Sequence, residues 1–197
     1  MVDLKGKKIG FGLTGSHCTY AAVFPEIEKL IALGAEIVPV VSNTFKETDT
    51  KFGKADDHMN KLREITGREP VASIVDAEPL GPKEPLDCMV LAPLTGNSMS
   101  RLANAITDSA VLMATKATIR NGKPVVLAVS TNDALGLNGV NLMRLMATKL
   151  IYFVPFGQDD PIKKPNSLVA DMTQIAETIE TALEFKQIQP VIIARNE

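Results

Sequence analysis

The sequence predicts a three-layer, doubly wound α/β fold: a parallel sheet of about six strands with helices on both faces. Three observations carry that reading. Apolar runs of strand length alternate along the chain with segments of helical spacing. Several runs, such as "DCMVLAPL" and "PVVLAV", are apolar at successive positions, the pattern of parallel strands covered on both sides. The 197 residues, 45% of them hydrophobic, suit one domain over 1–197 that buries a sizeable core.

The strands are assigned to "KIGFGL" (8–13), "AEIVPVV" (35–41), "VASIV" (71–75), "DCMVLAPL" (87–94), "PVVLAV" (124–129) and "LIYFVPFG" (150–157). The first helix carries Phe24, Ile27, Leu30 and Ile31 on one face and ends at Gly34, with Pro25 marking a kink or a fresh first turn. The polar stretch "TDTKFGKADDHMNKLREITGREP" (48–70) reads as a surface loop followed by a short helix. A proline-rich connection, "DAEPLGPKEPLD" (76–87), is irregular, and "GNSMSRLANAI" (96–106) begins a strong helix. No internal repeat or low-complexity tract interrupts this order.

Composition excludes several classes of function. The formal net charge is -2, and Lys and Arg are scattered without interleaved aromatics, which argues against nucleic acid. "MVDLKGKKIGF" runs from charged residues into a strand without the apolar core of a signal peptide. No apolar run approaches the length of a membrane span. A cytoplasmic location is therefore expected, with no membrane partner. Cys18 and Cys88 form no C-x-x-C or Cys/His spacing, so free thiols are expected and no metal site.

Gly10, Gly12 and Gly15 have the spacing G-x-G-x-x-G between a strand and a helix, which fits a dinucleotide fingerprint or another phosphate loop. The loops beyond the carboxyl ends of the strands discriminate, because ligands of open α/β sheets sit there. They are Thr14 to His17, Ser42 to Thr44, Pro93 to Ser98 and Ser130 to Asp133, all rich in hydroxyls and amides. A dinucleotide site needs a carboxylate for the adenosine ribose at the end of strand two. Ser42 occupies that place, and Glu36 lies at the wrong end of the strand. Hydroxyls with helix N-terminal amides suit a phosphomonoester, such as the tail of a mononucleotide.

The loops "GLTGS" and "SNT", and above all "LAPLTGNSMSRLANAITDSAVLMA" (91–114), resemble the FMN-binding flavoproteins, the homo-oligomeric flavin-containing cysteine decarboxylases and their relatives. The resemblance spans the chain and implies a Rossmann-like, flavoprotein-type sheet. It implies FMN as cofactor, or phosphate in its place. Gly12, Thr14, Gly15 and Ser16 would wrap the phosphate and ribitol, and Ser42 and Thr44 would close the phosphate site. Thr95, Gly96, Asn97 and Ser98 would border the ring, with Asp108 near the flavin or a subunit contact and Thr131 and Asn132 on the remaining loop. It further implies a trimer-based homo-oligomer. One branch of the family works with a second, nicotinamide-binding subunit on a small dicarboxylate, and similarity to that branch implies such a partner and substrate.

The departures keep alternatives open. Family decarboxylases carry a His ahead of strand four and a Pro-Met-Asn-x-x-Met-Trp segment. This chain has no His beyond His58 and reads "VSTNDALGLNGVNLM" there, which counts against a stand-alone FMN-dependent decarboxylase. Two readings survive: a working part of a synthase, and a non-catalytic component that binds phosphate or a nucleotide. The catalytic candidates are His17 and Arg101. His17, at a helix start, is expected neutral because the helix dipole opposes a cation there. Arg101 would meet a dicarboxylate or pair with Asp108. His58 reads as solvated surface, Cys18 as a small buried filler, and Asn97 and Ser98 double as helix caps.

Overall fold

Strand β1 (Lys8–Leu13) lies between β2 (Glu36–Val41) and β3 (Cys88–Leu94), parallel to both, and β4 (Val125–Thr131) continues the parallel ladder beyond β3. The structure, a computed structural model, describes residues 2–194. β3 is buried at every position, as its unbroken apolar run requires. The winding reverses between β1 and β3, so the loops that follow these two strands open onto one crevice. Helices α1 (Tyr20–Ala32) and α8 (Ile175–Leu183) cover one face of the sheet, and α6 (Ala110–Arg120) covers the other.

The doubly wound fold is as the sequence predicts, and its far edge adds detail. The sheet has seven strands and is mixed. β5 (Ile151–Phe153) pairs parallel with the first half of β4, while β7 (Leu168–Ala170) pairs antiparallel with Ser130 and Thr131 at its end. β6 (Phe156–Gly157) pairs antiparallel with β7. The run "LIYFVPFG" is thus divided between β5 and β6, with Pro155, which has no amide to give a ladder, between them. The segment "VASIV" is not a strand. Val71 makes one bridge to Val40, and Ser73 then caps a short helix, α4 (Ile74–Ala77), by accepting from Asp76 N at 3.1 Å.

α1 buries Val23, Phe24, Ile27 and Leu30, and Pro25 lies inside it. A 3-10 turn (His17–Thr19) precedes the helix, and Gly34, with φ +86°, terminates it. The loop after β2 forms α2 (Asn43–Glu47), and α3 (Ala55–Thr66) follows the turn at 48–54. α5 (Gly96–Ala103) follows β3, and α7 (Gly139–Met146) follows β4. Among the described residues, no helix is long and apolar enough to cross a membrane. Cys18 is exposed rather than a buried filler, because the 3-10 turn carries it to the surface, whereas Cys88 is buried in β3.

Gly12 is fixed by packing. A Cβ there would stand 2.8 Å from Met89 Cε, 2.9 Å from Val111 Cγ1 and 3.2 Å from the Val90 carbonyl oxygen. Gly12→Ala is expected to destabilise the fold by about 1–3 kcal/mol, the usual cost of overpacking. That is a Tm lower by roughly 2–12 °C in thermal unfolding. An unchanged Tm would refute this packing role.

Candidate functional site

The strand-end loops enclose a cleft of about 1040 Å³. Its floor is set by Thr14, which is buried and donates from Oγ1 to the Pro93 carbonyl oxygen at 2.6 Å. That carbonyl lies where the β3/β4 register shifts, between Leu91 and Leu94. Thr14 Oγ1 also accepts from Thr95 N at 3.0 Å, so one hydroxyl joins the ends of β1 and β3. Gly12 and Thr14 therefore stand behind the cleft and do not line it.

Three hydroxyls close the corner between β1 and β4. Ser16 Oγ and Thr19 Oγ1 each lie 2.8 Å from Ser130 Oγ, and 3.2 Å from each other. Each is both donor and acceptor, so Ser16 can turn its O–H to an anion and still accept within the triangle. On the next loop Ser42 Oγ accepts from Phe45 N at 3.3 Å and starts α2. Thr44 packs on Gly15 so closely that a Cβ at Gly15 would stand 2.5 Å from Thr44 Cγ2. Only glycine permits that approach.

The opposite wall is built on α5 and the loop after β4. Thr95 caps α5, accepting from Ser98 N at 3.3 Å, and donates to Ser98 Oγ at 3.2 Å. Asp133 receives Thr131 Oγ1 at 2.6 Å on one carboxylate oxygen and Asn138 Nδ2 at 2.7 Å on the other. Asn141 Nδ2 donates to Asn138 Oδ1 at 2.9 Å, which fixes that amide's orientation. Gly96 lies against this group: a Cβ there would be 2.7 Å from both Asp133 Oδ1 and Thr131 Oγ1.

Among the described residues, two of the three Lys and Arg side chains lining the cleft are paired. Arg101 Nε lies 2.8 Å from Asp108 Oδ2, the pairing the sequence offered as an alternative to substrate binding. Lys164 Nζ lies 3.2 Å from Asp159 Oδ2. Burial opposes ionisation of Asp159, and hydrogen bonds from Ser167 and Lys164 outweigh it, leaving the carboxyl below its ordinary range. Lys51 has no carboxylate within ion-pair distance among the described residues, and its Nζ sits 5.2 Å from the Phe52 ring centroid.

His17 borders the cleft, and burial, with His58 nearby, pushes its pKa down. The neutral ring expected from the sequence thus has burial as its cause. His58 is not solvated surface. Its ring packs 5.0 Å from Tyr20 and 6.2 Å from Phe45, and burial lowers its pKa, with Asp57 acting upward and Lys61 downward. His17 Nδ1 and His58 Nε2 are buried without a hydrogen-bond partner among the described residues.

Apart from Gly12 and Thr14, every residue assigned from the sequence to cofactor binding or catalysis lines the cleft: Gly15, Ser16, His17, Ser42, Thr44, Thr95, Gly96, Asn97, Ser98, Arg101, Asp108, Thr131 and Asn132. Sequence reasoning named Ser130 and Asp133 as the bounds of a strand-end loop without giving them a role, and passed over Asn138 and the wall formed by Asp159, Lys164 and Ser167. Ser130 and Asp133 belong to a strand-end loop, which is signal enough. The others lie outside any motif.

The Flavoprotein family profile matches residues 2–187. The chain belongs to the Flavoprotein family. Within that family it is 66% identical over 193 residues to the dipicolinate synthase B subunit of Bacillus subtilis (strain 168), across 98% of this chain and 96% of that protein. The crystal structure of the dipicolinate synthase B subunit from Bacillus halodurans C superposes with a TM-score of 0.91 at 62% identity, covering 99% of this chain and 100% of that one. SpaF, an FMN-dependent cysteine decarboxylase, aligns with a TM-score of 0.63 over 92% of this chain and 97% of its own, at 20% identity, which is a likeness of fold.

Both histidines have folded-state pKa values below the usual 6.5, so the unfolded chain binds more protons as pH falls past that value. Stability is complete above pH 6.5 and is expected to fall below it until the folded-state pKa values are passed. His58→Gln should flatten the dependence of Tm on pH between about 7 and 5. An equal slope in the variant would remove His58 from the explanation.

Proposed function

We propose that the cleft binds FMN and that the chain serves as the B subunit of a dipicolinate synthase. The observation that carries this is the 66% identity, over nearly the whole of both chains, to the Bacillus subtilis protein of that name. In this reading the chain works with the nicotinamide-binding dipicolinate synthase A subunit. Together they form pyridine-2,6-dicarboxylate (dipicolinic acid) from a dihydrodipicolinate-type precursor. The setting is the cytoplasm of the mother cell in a sporulating bacterium, and the assembly is a trimer-based homo-oligomer joined by that partner.

The cleft's composition fits the flavin. Its volume lies just above the range for small-molecule sites, about 300–1,000 Å³. Ser16, Ser42 and Thr44, with the side-chain-free approach at Gly15, would hold the phosphate and ribitol, while Gly12 and Thr14 support the loop from behind. Thr95, Gly96, Asn97 and Ser98 would border the ring, with Asp108, Thr131 and Asn132 beside it. When bound, the flavin supplies a hydride acceptor, as does an oxidised nicotinamide on the partner.

Aromatising a dihydropyridine removes one hydride and one proton. The chain's own part is to orient the ring and to receive that proton. His17, neutral near pH 7 and at the cleft edge, is the group in the right state for it. Arg101 is held by Asp108 and acts through that pair, not as a free cation. A second reading, a structural subunit with phosphate or nucleotide in this pocket, is favoured by the pairing of Arg101 with Asp108 and of Lys164 with Asp159, which leaves few acid/base groups free for chemistry.

Titration of the purified chain with FMN separates the two. We expect saturable quenching of flavin fluorescence, reversed by inorganic phosphate. Ser16→Ala with Thr44→Ala should weaken binding about tenfold or more per hydroxyl, the scale of a hydrogen bond to a charged group. Phosphate binding without FMN binding would select the structural role. Tight NAD binding by the chain alone would reinstate a dinucleotide site.

A further inference from the structure

The turn joining α2 to α3 presents an ammonium that has no carboxylate partner among the described residues and lies over a half-exposed phenyl ring, both at the cleft. Lys51 is the cleft cation without a carboxylate partner among the described residues, and Phe52 lines the same opening with half its surface in water. The turn is closed on itself. Thr50 N donates to Gly53 O at 3.0 Å, Gly53 N to Thr50 O at 3.1 Å, and Phe52 N to Thr50 Oγ1 at 3.1 Å. Asp49 Oδ1 accepts from Ala55 N at 2.9 Å and anchors the turn to the start of α3. At its root Gly53, with φ +139°, approaches His58 so closely that a Cβ would meet the ring at 2.8 Å. Lys51 and Phe52 therefore project from a turn that is already organised.

We propose that Lys51 and Phe52 form a substrate clamp, in which Phe52 covers one face of a planar ring and Lys51 pairs with a carboxylate carried directly on that ring. The proposal rests on the dicarboxylate reading above and names the residues that select its substrate. A dicarboxylate entering a partly desolvated site needs a cation. Arg101 and Lys164 already spend their charge on Asp108 and Asp159, which leaves Lys51. The neighbouring ring points to a carboxylate and away from the cofactor's phosphate. In FMN a ribityl chain separates phosphate from ring, whereas the Lys51 ammonium lies only 5.2 Å from the Phe52 centroid. The ammonium lies over one face of the Phe52 ring, so a planar ring that stacks on that face moves the flexible lysine head to the ring's edge, where a carboxylate carried on the stacked ring meets it.

The test is calorimetric titration of the full chain, with and without FMN, using pyridine-2,6-dicarboxylate, the saturated dianion cis-cyclohexane-1,3-dicarboxylate, and uncharged pyridine. Lys51→Gln should weaken the pyridine dicarboxylate about tenfold or more and leave FMN affinity within about twofold, with Lys51→Arg restoring much of the loss. Phe52→Ala should erase the preference for the aromatic over the saturated dicarboxylate. The proposal is overturned if the parent chain does not bind the pyridine dicarboxylate, if neither substitution changes its affinity, or if Lys51→Gln weakens FMN instead, which would assign the lysine to the phosphate. Failure of FMN binding with the dicarboxylate effects intact would overturn the flavin reading and leave the clamp standing.

Discussion

The Thr14 hydroxyl, buried between two strand ends, sets the geometry on which the cleft depends. It donates to the carbonyl oxygen of Pro93 and accepts from the amide of Thr95, so it satisfies one backbone acceptor and one donor that the parallel ladder leaves unpaired. Tyr20 reinforces the same point, donating from its phenol to the Thr14 carbonyl oxygen at 2.8 Å. Burial pushes the Tyr20 phenol up, far from any ionisation near neutral pH, so this donor is constant. Without this bracket the loops after β1 and β3 would lose the hydrogen bonds that join them to each other.

From that bracket the two walls acquire different characters. On the Ser16 side are small hydroxyls and a glycine under a threonine methyl, a surface that admits a compact anion close to backbone. Toward Asp133 the wall is a hydrogen-bonded set in which carboxylate, hydroxyl and two amides fix one another. Arg101 and Lys164 are neutralised in place, and the histidines are held neutral by burial. Little net charge remains free in the cleft, so a ligand's charge meets few competing long-range fields.

How much of this the sequence disclosed follows the length and purity of its patterns. β1 to β4 were legible because their apolar runs are long and doubly buried. Once a doubly wound parallel sheet was inferred, the strand-end loops were expected around one site. The direction of the Thr14 side chain was not legible, since a threonine in a glycine loop can face the ligand or the neighbouring strand. β6 and β7 are too short to leave a period, and that hid the wall bearing Asp159 and Lys164. His58 was misread because Asp56, Asp57 and Lys61 surround it in sequence, although it stands one helical turn before the buried Leu62 and shares that face of α3.

The far edge of β4 is shared between two neighbours of opposite direction, β5 along its beginning and β7 at its last two residues. The outer wall of the chamber therefore hangs from the scaffold by a short antiparallel seam, Ser130 with Val169 and Thr131 with Leu168. Residues added to or removed from the segment between β6 and β7 would reshape the chamber's mouth without disturbing the parallel ladder or its hydrophobic layers. Such a wall is an exchangeable module: a lineage can retune what the chamber admits while inheriting the sheet, the hydroxyl corner and the bracket beneath them unaltered.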